Sequence, residues 1–262
     1  NHNRGKMDSY QRVVAGIAKA REELGEDRVS ALMTTSEYSL GFPREIIDAY
    51  RENGFHSIFI RALNPYGLAK DNADWTAYYD RFVEFYKQAL EYIIELNKSG
   101  EVFVEEFATL ILRKILTPFP IGFVDLQSPA GIINGVIVYN YDGYVYASDE
   151  SRMLAEFRDY TFRVGSVTDR YEDLFYGRKA QEISRLWATE YIAGCADCAF
   201  QSICGADPVR NYSTQGDMYG FRPTSTFCRK HKAIIEHIFG LLADRREEVL
   251  PIFKSWITGT GG

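Results

Sequence analysis

The sequence predicts an α/β unit followed by an α+β unit. Three observations lead there. Residues 7–63 read as helix, strand, helix, strand, an alternation that implies parallel strands joined by crossover helices. Near the middle of the chain, Asp142-Gly143 lies between two alternating apolar runs, which marks a β-hairpin. All four cysteines fall within residues 195–228 of a chain of 262 residues, so the second unit carries a concentrated thiol site.

The elements follow in order. Over residues 7–24, Val13, Ile17 and Ala20 recur at helical spacing, and Gly25 stops the helix. Residues 29–33 read as a short buried strand that ends at Thr34 and Thr35. Pro43 opens a second helix through Ile46, Ile47 and Tyr50, closed at Gly54. Residues 56–63 read as a second strand, with Ile58 and Ile60 on one face. Ligands of parallel sheets gather at the carboxyl ends of strands. Thr34, Arg61 and Asn64 stand at those ends, as cofactor-binding positions or as ordinary turn residues. Residues 75–96 form a long amphipathic helix whose rings read as core. A further helix spans 103–116, and the two prolines in 117–120 mark a boundary, giving domains 1–118 and 119–262. Beyond it, residues 135–141 and 144–147 make the hairpin. Ser148, Asp149 and Glu150 suit a cap for a helix over 152–157. Helix 178–192, the cysteine loop, and closing helices at 230–243 and 245–257 complete the chain. Residues 259–262 read as a frayed tail.

Composition narrows the function. Apolar residues make up 46% and charged residues 25% of the chain, which suits a globular protein with a sizeable core. The net charge of -6 argues against nucleic acid, whose phosphates need a basic face. No apolar run approaches the ~18 residues of a membrane span. The amino terminus lacks an apolar signal segment, so the chain reads as cytoplasmic with reduced thiols. It begins in polar sequence without Met, as a fragment or processed product would.

The thiols are spaced Cys195-x2-Cys198-x5-Cys204, with Cys228 standing alone further on. A Cys-x2-Cys loop turns two thiolates toward one centre. Structural zinc sites usually pair two such knuckles, whereas three close ligands and one distant one suit an iron–sulfur cluster. Spacing alone leaves iron–sulfur, zinc, and disulfide or free thiols open, in that order. His231 and His237 read as solvated helix residues, since four thiolates complete a site.

Gly143-x4-Ser148 followed by this cysteine block resembles the SPASM domain of radical S-adenosylmethionine enzymes. That family carries two auxiliary [4Fe-4S] clusters. The resemblance implies that Cys195, Cys198, Cys204 and Cys228 hold one of them, while Ser128, Ser148 and Pro208 stand where the other cluster's cysteines would be. Residues 2–17 and 32–67 resemble barrel segments of the same enzymes. The block YNYDGYVYASDESRML is most similar to the maturase of His-Xaa-Ser peptide systems. The fold implied is the carboxyl half of a partial (β/α)6 radical SAM barrel, followed by a SPASM-like domain with a β-hairpin and helices. The function implied is part of a maturase that modifies a ribosomally made precursor peptide by 5′-deoxyadenosyl-radical hydrogen abstraction, served by an electron donor. The C-x3-C-x2-C motif of the radical cluster is absent, so S-adenosylmethionine and that second [4Fe-4S] cluster belong to the parent protein alone. The resemblance also makes Asp149 the base that takes the substrate proton. Two other readings stay open: a zinc-stapled module that binds peptide, and a non-catalytic peptide-binding partner of a separate enzyme. A truncated barrel would expose sheet edge and apolar surface, which predicts an altered sheet edge or self-association for an isolated fragment.

Overall fold

The computed structural model describes residues 9–67, 74–184 and 188–259. Helices dominate, and two small sheets sit among them. Helix α1, Ser9–Leu24, buries none of its residues. Met7 and residues 260–262 lie outside the described residues. Helix α2, Pro43–Glu52, opens on Pro43, whose missing N–H costs nothing in a first turn, and turns Ile47 inward.

The alternation of helix and strand yields parallel pairing, with much shorter strands than the sequence implies. Strand β1 is Ser57–Ile58, and it pairs in parallel with β2, Val104–Glu105. Thr35 and Ala62 form a separate parallel bridge. Residues 29–33 therefore do not form the expected strand. Their side chains alternate between half-buried and exposed, and the pairing begins only at Thr35, which donates its N–H to the Arg61 carbonyl at 2.8 Å. A strand is defined by its neighbour, and apolar content cannot supply one. The helix expected from 103 begins at Glu106 instead, because Val104 and Glu105 are taken by β1.

Helix α3, Trp75–Lys98, organises this half. Asp74 caps it, accepting from the N–H groups of Thr76 and Ala77 at 3.1 Å. Its aromatic face is core, with Tyr78, Tyr79, Phe82, Phe85 and Tyr86 buried. The hydroxyls on that face hold the strand ends. Tyr78 donates to the Thr35 carbonyl at 2.6 Å and accepts from Leu63 N–H at 2.8 Å. Tyr79 donates to the Leu63 carbonyl at 2.6 Å. Glu105 is wholly buried before α4, Glu106–Leu116. Its carboxyl accepts from Ile60 N–H, Ala108 N–H and the Tyr86 hydroxyl at 3.0, 2.6 and 2.5 Å.

The hairpin forms as expected. Strands β3, Val138–Tyr139, and β4, Tyr144–Tyr146, are antiparallel. Gly143 takes φ 83°, and Asp142 accepts from Tyr144 N–H at 3.0 Å. A third strand that the sequence reading missed, β5 (Arg163–Ser166), pairs with β4 across a bulge at Val145/Tyr146. Helix α5, Asp149–Glu156, starts three residues earlier than expected. Ser148 and Ser151 form a reciprocal capping box there. Helices α6 (Tyr171–Tyr176) and α7 (Arg178–Ser184) follow. The expected helix over 178–192 thus ends earlier, and residues 189–191 form a separate 3-10 turn. Residues 185–187 of that expectation lie outside the described residues. Helix α8, Pro208–Gln215, has Asp207 as its cap.

Two hydrophobic clusters result. One gathers Val145, Ala147, Phe162, Ile192 and Val209 around the hairpin sheet. The other joins α2, α3 and α4 to the closing helices α9 (Thr226–Asp244) and α10 (Arg246–Thr258), through Ile234, Ile238, Val249 and Phe253.

Candidate functional site

Two cavities border the start of α9, one lined by Cys228 and Lys232 and the other by Lys230 and His231. The first is lined by all four cysteines, with Arg222, Lys232, Phe200 and Gln201. Its walls follow from local sequence. Cys195 and Cys198 sit on successive turns, with Cys198 N–H donating to the Cys195 carbonyl at 3.0 Å. Gly194 takes φ 76° and has Pro223 where a Cβ would stand, 2.3 Å away. Cys204 N–H donates to the Phe200 carbonyl at 2.9 Å. The Lys114 ammonium then ties this turn to the preceding loop, donating to the Cys204 and Leu126 carbonyls at 3.1 and 2.6 Å. Gly205 lets the two backbones meet, since a Cβ there would lie 2.3 Å from the Asp125 carbonyl.

The fourth thiol comes from a helix. Helix α9 begins at Thr226, four residues before the sequence expectation, with Ser225 as its cap. Cys228 therefore lies in the first turn, where its N–H donates to the Ser225 hydroxyl at 3.1 Å. The helix amino terminus favours a thiolate there. The capping signal was present in Ser225-Thr226.

All four thiols are free and half-buried. Among the described residues no three His, Cys, Asp or Glu side chains converge closely enough to hold one ion. The thiols surround a space and do not meet at a point. Burial raises the Cys195 thiol, and the Arg222 charge opposes that rise. Burial raises Cys228 too, and the Cys204 thiol adds to it. The donor set, four soft sulfurs around one cavity beside a buried cation, fits an anionic metal–sulfur group.

The serine and proline positions singled out in the sequence serve the protein itself. The Ser128 hydroxyl donates to Glu190 at 2.7 Å and accepts from Thr189 N–H at 2.8 Å. Ser148 caps α5, and Pro208 is buried at the start of α8.

The second cavity is larger, about 320 Å³, and lies between the strand ends and α9. Arg61, Asn64 and Asp149 line it, with Glu150, Asp125, Lys230 and His231. Thr34 is exposed and lies outside its lining. Asp149 is at the rim, with its side chain 62% exposed and paired to Arg152 at 3.0 Å. Glu150 points inward instead, with Arg61 at 3.8 Å. Burial, and next the Asp125 charge, push the Glu150 carboxyl above its usual range. Burial, then the Arg210 charge, bring Lys230 down to about 7. Arg210 is buried nearby, donating to Asn64 at 3.2 Å and Tyr79 at 2.6 Å.

The sequence reading missed Glu150 and Lys230. Glu150 was named only as cap chemistry, and Lys230 lay at a misplaced helix start. The reading of His231 as solvated is corrected. It is 1% exposed, its Nδ1 is 2.9 Å from the Phe227 carbonyl oxygen, and the Phe107 and Phe227 rings enclose it. The helix face it occupies is turned to α4 and the cavity, which a helical repeat alone cannot reveal. His237 is also partly buried, and burial lowers it. Neither histidine lines the cysteine cavity.

No family model matches the chain, and no curated protein matches it. Solved structures do share its fold, among them structures of anSMEcpe with bound AdoMet. One is native anSMEcpe with bound AdoMet and the Kp18Cys peptide, at 17% identity and a TM-score of 0.65, covering 91% of this chain. Another is native anSMEcpe with AdoMet and the Cp18Cys peptide, at 16% identity and a TM-score of 0.68, covering 93% of this chain and 64% of that one. The chain spans 62% of the length of the first. Identity this low establishes the fold that the chain shares with anSMEcpe. No helix among the described residues is long and apolar enough to cross a membrane.

Proposed function

We propose that this chain is the carboxyl-terminal part of a radical SAM maturase that modifies a ribosomally made peptide, and that it holds one auxiliary [4Fe-4S] cluster through Cys195, Cys198, Cys204 and Cys228. The observation that carries this is the ring of all four thiols around one cavity, in a fold shared with an enzyme solved with AdoMet and peptide. The spacing favours a cluster over zinc, because three close cysteines and one distant one suit a cluster, whereas structural zinc sites usually pair two Cys-x2-Cys knuckles. In the parent enzyme, AdoMet and the radical cluster would supply the 5′-deoxyadenosyl radical. Four thiolates would satisfy every iron of such a cluster, which would then supply electron transfer or anchoring and leave no iron for substrate.

The 320 Å³ cavity is the place for the peptide residue and cofactor. Arg61 and Asn64 offer charge and hydrogen bonds at the strand ends. Two carboxylates compete for the proton-accepting role. Asp149 holds the position that the SPASM resemblance favours. Glu150 is the more buried, and its raised affinity for protons suits a base. Domains 1–118 and 119–262, the His-Xaa-Ser subgroup and the electron donor belong to the same reading.

Anaerobic reconstitution with iron and sulfide tests the metal. The expected result is about four irons and four acid-labile sulfides per chain, abolished in Cys198→Ser. Stoichiometric zinc without sulfide would instead establish the stapled module. In the parent enzyme, loss of peptide product in Asp149→Asn with Glu150→Gln still active assigns the base to Asp149, and the reverse pattern assigns it to Glu150. If both variants keep full turnover, the cavity is not the site of proton transfer.

A further inference from the structure

Arg222 is 1% exposed, yet among the described residues it has no carboxylate partner. One guanidinium nitrogen, Nη2, donates to the Gly205 carbonyl at 2.7 Å. The group stacks over the Phe227 ring, 4.5 Å from its centroid. Its Nε and Nη1 are buried with no hydrogen-bond partner among the described residues. Leaving charged donors unpaired in the interior is costly. The cavity that Arg222 lines is the one formed by the four cysteines. The other cation there, Lys232, is 54% exposed and faces Glu236 at 3.7 Å, so solvent and a carboxylate screen it.

We infer that Arg222 is the counter-cation of the group held by the four cysteines and sets its reduction potential. This rests on the cluster reading above. A cluster ligated by four thiolates is negatively charged, and reduction adds another negative charge. A buried positive charge beside it favours the reduced form and raises the potential. Gly205 fixes the geometry, because its carbonyl orients the guanidinium while the glycine follows directly after the ligand Cys204.

The test uses the full chain, reconstituted anaerobically with ferrous iron and sulfide and titrated with mediator dyes. Iron, sulfide and far-ultraviolet circular dichroism are measured alongside. Arg222→Gln is expected to weaken the reduction equilibrium at least tenfold, about 59 mV lower for one electron. Arg222→Lys and Lys232→Gln are expected to stay within threefold of the parent chain. Iron loss confined to a folded Arg222→Gln also supports the inference, since the cation is then needed to hold the anion. A fully loaded Arg222→Gln with an unchanged potential overturns it. So does an Arg222→Lys that shifts as far as the glutamine variant. A second measurement needs no variant. In the reduced parent chain labelled with 15N-arginine, electron–nuclear resonance is expected to show coupling to a guanidinium nitrogen, and its absence overturns the role. A parent chain that takes up no iron overturns the cluster reading itself, and this inference with it.

Discussion

Glu105 shows how far one buried carboxyl can govern this fold. Burial outweighs its three hydrogen bonds and raises it from 4.5 to about 7. A carboxyl raised in the folded state binds its proton more tightly there than in the unfolded chain. The stability that results is complete below about pH 4.5 and is lost as pH rises through about 7. The difference in unfolding free energy between the parent chain and Glu105→Gln should therefore shrink by about 3 kcal/mol across that window. Urea denaturation at half-unit pH steps measures it, and a flat difference would mean that Glu105 is ionised in the fold. Glu150 and Lys230 share this character: each is charged in sequence and altered by where the fold places it.

At the scale of elements, glycines and caps separate close approach from mere flexibility. Gly205 touches the loop at Asp125, whereas Gly240, inside α9, has open space where a Cβ would go. Gly205→Ala should lose about 1–3 kcal/mol by overpacking. Gly240→Ala should gain about 0.5–1 kcal/mol from helix propensity. Thermal denaturation of the pair reads both, and equal effects would refute the assigned contacts. Ser148→Ala removes half of the capping box of α5 and should cost about 1 kcal/mol. Hydrogen exchange confined to α5 would locate the loss. The hairpin and this cap were legible because Asp142-Gly143 and Ser148 act over two or three residues. Strands β2 and β5 were not, because each depends on a partner far away in sequence.

Across the whole molecule, the cysteine loop joins the two hydrophobic clusters. Ile203 and Cys204 pack with the helical core, and Cys195 packs with the hairpin core. A group bound by all four thiols would couple the two. Calorimetry of the iron-loaded chain should show one transition, and Cys198→Ser should show two, the hairpin half melting first. Two transitions in the loaded chain would show that the loop is no such link. The expected self-association is a matter for sedimentation, and the exposed side of α1, a helix that fully buries none of its residues, is the surface to watch.

The sequence by itself determined the thiol spacing, the hairpin, the aromatic helix and the closing helix pair. Each is written in local periodicity or in residues a few positions apart. Only the tertiary structure decided which charges are buried. It turned Glu150 inward and Asp149 outward, hid His231, and placed Arg222, with no carboxylate partner among the described residues, beside the thiols. Burial is set by neighbours brought from elsewhere in the chain, and the energy of a charge depends on that surrounding medium far more than on its adjacent residues.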